Sequence, residues 1–234
     1  VLASTFTAKV EDTKVFTSVN VQKLNTKGSL DFVTTVPISP EGKFTFSDEI
    51  KTAEIYNLVF TAAAGQSPTQ HVVLLPGENV TIVYGMVYNM LGIKSVEGSE
   101  NMKFMMQHQN EYYKLSVVAA EAEKKFAEAK TPVAQQVIQQ EFYAAMSATQ
   151  AKTKTLVSNN THLLAAALVG YSEFSESVVE AKSGVLKKIY ETQKALYPEN
   201  YIIKEIGRLV ENPIEIGKKA PNIELPGVDG NIIR

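Results

Sequence analysis

Apolar and polar positions alternate with period two through most of residues 1–97. Val15, Thr17, Val19 and Val21 share one face of an extended segment, and Phe44 and Phe46 point the same way around Thr45. The pattern predicts strands over 5–10, 15–21, 35–38, 44–46, 55–61, 71–75 and 80–84. Breaks fall at Gly28-Ser29, Pro40-Glu41-Gly42, residues 65–68 and Pro76-Gly77-Glu78-Asn79. Short strands with a turn signal every ten residues or so predict an antiparallel β-sandwich or open barrel. No helix-period stretch separates them, which argues against a parallel βαβ sheet.

At Gly98-Ser99 the period changes. Met105, His108, Tyr112, Leu115, Ala119, Ala122, Phe126 and Ala129 form one stripe of a long helix with Ser99 as its N-cap. Thr131-Pro132 is a cap followed by a first-turn proline, and Ala134, Ile138, Phe142, Ala145 and Thr149 give a second stripe. So short a connection makes the helices antiparallel neighbours, about 45 and 40 Å long. Phe126 and Phe142 are the large seam residues; if Phe126 is buried, Phe126→Ala should cost about 3–5 kcal/mol. Shorter helices are expected over 162–171, 177–197 and 198–210, the last started by Pro198. The fold class expected is therefore α+β: an antiparallel β domain over 1–97, then an all-helical domain over 98–212 containing a long antiparallel helical hairpin. Residues 213–234, with Pro221, Pro226, Gly227 and Gly230, read as extended chain and turn.

Composition narrows the chemistry. The 234 residues include no cysteine, which removes thiol nucleophiles, CxxC redox centres and cysteine-ligated metals from this chain. Net charge is −2, and of 23 basic residues only Arg208 and Arg234 are arginine, so a nucleic-acid partner is not expected. No apolar run is long enough to span a bilayer.

No motif supplies catalysis. His71, His108 and His162 stand in no metal-ligand spacing, and His108 reads as a packed helix residue. Glu173, Glu176 and Glu180 lie at helical spacing and read as a solvated face. Met102, Met105 and Met106 read as core packing against the sheet. No nucleotide-binding glycine pattern, G-x-S-x-G or calcium loop occurs. Asn79-Val80-Thr81 and Asn159-Asn160-Thr161 match the N-glycosylation triplet, relevant only to a eukaryotic secreted chain. Catalytic, cofactor-binding and metal residues are accordingly expected to number none, and no cofactor is expected.

The tail is the informative segment. Gly217, Ala220-Pro221, Leu225, Asp229 and Gly230 resemble the opening of the thioredoxin-like domain in bacterial cell-envelope thiol–disulfide oxidoreductases of the TlpA/ResA and peroxiredoxin-like AhpC/TSA group. Ile223 stands where that family usually has phenylalanine, and Asn231 where it usually has lysine. Upstream, Ser39-Pro40-Glu41-Gly42-Lys43-Phe44-Thr45-Phe46, Leu74-Leu75-Pro76-Gly77-Glu78-Asn79-Val80-Thr81-Ile82 and Val96-Glu97-Gly98-Ser99-Glu100-Asn101 resemble a hairpin, a strand pair and a helix junction of the β-rich domain of unknown function that precedes the redox domain in one subgroup. The resemblance implies an exported, periplasm-facing protein, commonly a lipoprotein, touching the membrane only through a removed N-terminal lipid anchor. It makes residues 213–234 the start of a truncated thioredoxin-like domain, with the redox CxxC beyond the end of this chain.

On that reading the chain is a noncatalytic accessory module, without dithiol-dependent disulfide reduction of its own. It pairs with a second copy or a client protein through a sheet edge or the helical hairpin. The tail, cut from its domain, would be an unpaired apolar hairpin, so deleting 220–234 should change oligomer size more than thermal midpoint. The alternative is a small-molecule or glycan-binding sandwich with a groove lined by Tyr84, Tyr88, Tyr112 and Tyr113.

Overall fold

The computed structural model describes residues 1–11, 15–65 and 67–213, together with the backbone of 225–226 and 232–233. Eight strands come first: β1 (Leu2–Val10), β2 (Phe16–Leu24), β3 (Leu30–Pro37), β4 (Lys43–Ile50), β5 (Glu54–Ala62), β6 (Thr69–Leu74), β7 (Asn79–Val87) and β8 (Met90–Glu97). They form two four-stranded sheets, ordered β4-β1-β7-β8 and β3-β2-β5-β6. The inward faces carry Val19, Val21, Phe44 and Phe46 as the alternation predicts. Val15 and Thr17, read onto the same face, are exposed, because an irregularity between Phe16 and Ser18 turns Phe16 to the core instead. Aromatic rings tie the layers together. Phe44 meets Phe60 with centroids 5.7 Å apart, Phe46 meets Tyr56 at 5.6 Å, and Phe60 meets Tyr84 at 5.4 Å.

The chain is α+β, with the helical part following the sandwich: α1 (Glu100–Glu128), α2 (Pro132–Ser158), α3 (Leu164–Phe174), α4 (Val178–Lys182), α5 (Val185–Gln193) and α6 (Tyr201–Glu211). Ser99 caps α1, its Oγ accepting from Met102 N–H at 3.1 Å, and Thr131 Oγ1 accepts from Ala134 N–H at 3.2 Å with Pro132 in the first turn of α2. Gly98 turns the chain into α1 at φ +84°, where a Cβ would lie 2.1 Å from Asn79 O.

The base of α1 closes the gap between the two sheet edges β6 and β8. Met102 and Met105 are buried there, with Met106 packed against the same core, as their spacing suggested. A buried polar clasp fixes the register. Gln70 Nε2 of β6 donates to Leu91 O of β8 at 2.9 Å, and Gln109 Nε2 of α1 donates to Gln70 Oε1 at 2.6 Å. Ile93 N–H donates to Gln109 Oε1 at 3.0 Å, and Tyr113 OH donates to Leu91 O at 3.1 Å. Asn101 Oδ1 accepts from Ala165 N–H at 2.9 Å, supplying α3 with the cap its own N-terminal residue lacks.

Several expectations are corrected. β1 pairs antiparallel with β4 but parallel with β7, from Thr5–Asn79 to Val10–Tyr84. Alternation fixes which face a residue takes, not the direction of its neighbour. The strand β8, unassigned within 1–97, and the start of β3 at Leu30 were hidden by weak alternation. The helix expected over 177–197 is broken at Ser183-Gly184, where Glu180 Oε2 accepts from Val185 N–H at 2.8 Å and so caps α5. Pro198 lies in the turn before α6, which is capped by Asn200 Oδ1 accepting from Ile202 N–H at 3.0 Å. Phe126 is half-buried rather than buried, so the condition for a full core penalty is not met. In the tail, Leu225–Pro226 (β9) and Ile232–Ile233 (β10) pair antiparallel. Gly217, Ala220, Pro221, Asp229 and Gly230 of the tail motif lie outside the described residues.

Candidate interaction surface

Within α1, the buried residues end at Tyr113; within α2, they begin at Thr153. Between these points the two helices pack on each other alone, along a half-buried seam of Leu115, Ala119, Ala122, Phe126, Ile138, Phe142, Ala145 and Thr149. The seam is the stripe read from the sequence, except that Tyr112, placed on it by spacing, is half exposed and its neighbour Tyr113 is the buried one. The reason is a change of partner along α1. Its first turns face the sheets through Met102, Met105, Gln109 and Tyr113, whereas its later turns face α2 about one side-chain row away. Lys152 Nζ lies 3.1 Å from Glu111 Oε2 across the antiparallel pair.

One face of this hairpin is a groove. Its distal part, about 510 Å³, is lined by Ser116, Ala119, Ala120, Glu123, Phe126 and Phe142 among others. Its proximal part, about 310 Å³, continues through Tyr112, Leu115, Tyr143, Met146 and Thr153 to Glu173 on α3. Tyr112, Tyr143 and Met146 are 50, 62 and 41% exposed, so large apolar groups meet solvent here. At 100° per residue, Glu111, Lys114, Lys125, Glu141 and Lys152 turn to the opposite side of the hairpin, leaving Glu123 and Glu173 as the ionisable carboxylates of the groove.

At the groove's base His108 stacks on Tyr112, ring centroids 6.0 Å apart. Its Nε2 is buried, makes no hydrogen bond and lies 3.8 Å from Glu173 Oε1. Burial lowers the His108 pKa and raises that of Glu173, so both are pushed toward their neutral forms. The three glutamates expected on one solvated face are separated. Glu173 is half-buried on α3 and Glu176 exposed, while Glu180 is buried on α4, where its Oε1 accepts from Lys154 Nζ at 2.5 Å. Burial opposes ionisation of Glu180, but the Lys154 and Val185 hydrogen bonds outweigh it and hold the carboxyl below its usual range. His71 is exposed but lies within β6, which begins at Thr69, and His162 is exposed just ahead of α3, so neither opens its element. Among the described residues, no three histidines or carboxylates converge as metal ligands would.

The four tyrosines of the small-molecule reading do not share a groove. Tyr84 is a fully buried core residue and Tyr113 belongs to the clasp, while Tyr88 sits in the β7–β8 turn at φ 49° and Tyr112 lies on the hairpin. A different cleft of about 380 Å³, which spacing gave no sign of, lies between the β2–β3 and β4–β5 turns and the α5–α6 connection. Asn25, Lys51, Glu54, Tyr197 and Tyr201 line it, and burial raises the Glu54 pKa. Of the sheet edges, β3 pairs with β2 on one side and leaves Phe32 67% exposed.

No protein-family model and no curated protein matches the chain.

Proposed function

We propose that the chain is a noncatalytic accessory module of a cell-envelope thioredoxin-like thiol–disulfide oxidoreductase, and that it acts by holding another protein on its α1–α2 hairpin. The observation that carries the interaction role is the hairpin's uncovered groove, with Tyr112, Tyr143 and Met146 exposed beyond the point where the body stops burying either helix. Supporting the redox context is the resemblance carried by the tail residues Gly217, Ala220-Pro221 and Leu225. Periplasmic, lipid-anchored placement follows from the same resemblance and belongs to the same proposal.

A photoreactive amino acid at Ala120, in the groove, should give protein cross-links in intact cells, and one at Thr7, on the outward face of β1, should not. Absence of any product from Ala120 overturns the interaction reading. The polar cleft of Asn25, Lys51, Glu54 and Tyr201 favours a second reading, a small-molecule-binding module. Saturable ligand binding abolished by Tyr201→Ala, without cross-links from Ala120, would select it.

A further inference from the structure

Resting on the interaction reading, we infer that the occupant of the groove is a second copy of this chain, the two hairpins forming a two-fold symmetric four-helix bundle. The Glu111–Lys152 pair means that residues of α1 and α2 lie level when their numbers sum to about 263. Tyr143 is then level with Ala120, and Met146 with Val117. The bulky exposed residues of α2 thus stand at the height of the small ones of α1, Ser116, Ala119 and Ala120, along one groove.

A two-fold axis parallel to the helices lays α2 of each copy over α1 of the other without any axial shift. Tyr143 and Met146 of one copy then enter the shallow alanine stretch of the other, and the contact repeats by symmetry, as an isologous interface requires. The helices remain antiparallel across the interface, and large-into-small is how packed helices interlock.

Area agrees. The free part of the hairpin, roughly 20 residues long and two helices wide, offers about 30 by 20 Å, on the order of 1,200 Å² summed over both copies. That is the lower end of specific interfaces, so the dimer should be reversible. Charge agrees as well. The groove presents Glu123 and Glu173 at separate levels. Lys124, one turn beyond Ala120 on the same side of α1, stands at the level of the uncharged Gln139, so two copies meet without facing rows of like charge.

The chain's lack of cysteine makes the test direct. Sedimentation velocity over a concentration series should show a monomer–dimer equilibrium. Ala120→Glu, which keeps helix propensity but places a carboxylate under the partner's Tyr143, should weaken it about tenfold or more, while circular dichroism and the thermal midpoint measured at concentrations where both chains are monomeric stay unchanged. An oxidised mixture of Ala120→Cys and Tyr143→Cys chains should yield a covalent heterodimer, whereas Ala120→Cys alone should not. A monomer at all concentrations, a dimer indifferent to Ala120→Glu, or efficient cross-linking of Ala120→Cys to itself would each overturn the arrangement. Should the chain prove monomeric while the Ala120 photoprobe captures a different protein, this inference falls and the interaction role survives.

Discussion

Single side chains in this molecule settle matters that its secondary structure leaves open. Asn101, Gln70, Gln109 and Glu180 are polar and buried or partly buried, and each satisfies backbone groups that the helices and strands leave unpaired. His108 differs, because its Nε2 is buried without a hydrogen bond. With its pKa lowered by burial, the folded protein resists protonating it, while in the unfolded chain it takes up a proton near pH ~6.5. Between that value and the lower folded pKa, the unfolded state binds the extra proton, so stability falls as pH falls. Glu173 works the other way: its raised pKa makes its ionised form the costly one, a cost relieved toward acid. His108→Gln should therefore flatten the acid-side loss of stability measured in urea titrations from pH ~7 downward. An unchanged slope would show that the loss arises elsewhere.

At the scale of elements, the helical hairpin is the least supported part of the fold. Residues 114–152 of α1, α2 and their connection contain no buried side chain. Local opening there costs few apolar contacts, so amide hydrogens of 116–149 should exchange well before those of α3, α5 and the sheets, and measurably slower when the groove is covered. Exchange as slow as the core in the isolated monomer would contradict that view. The seam itself was legible in the sequence, because a three-four spacing survives whatever the helix packs against. That the seam would be only half-buried was not legible, since periodicity reports a face and says nothing of what stands opposite. Tyr112 shows the same gap: its spacing fits the stripe, but the handover from sheets to α2 moves it into solvent. The breaks at Gly184 and before Asn200 were missed because a buried carboxylate and a side-chain cap decided them, and both depend on partners distant in the fold.

For the whole molecule, three glycines at the junctions between elements have structural duties. Gly42 turns β3 into β4, Gly77 turns β6 into β7 with its N–H donated to Ser4 Oγ at 3.0 Å, and Gly98 with Ser99 launches α1. They explain why the α+β order could be read from the chain, and equally why the open groove could not: they fix junctions, whereas the groove's helical stripe reads the same whether or not anything covers it. Cohesion between sandwich and helices rests on the buried clasp. Gln109→Ala would strand Gln70 Oε1 and Ile93 N–H in the interior, and should lower unfolding free energy by about 1–3 kcal/mol in urea melts. A neutral result would mean that water replaces the amide.

The first strand lies inside its sheet rather than at a rim, hydrogen-bonded to β4 on one flank and to β7 on the other. A force applied along the strand at Leu2 would load both ladders in shear, breaking many bonds together instead of peeling them one by one. Flanked in this way, β1 is a mechanical root of its sheet, and a pull on it meets two ladders at once.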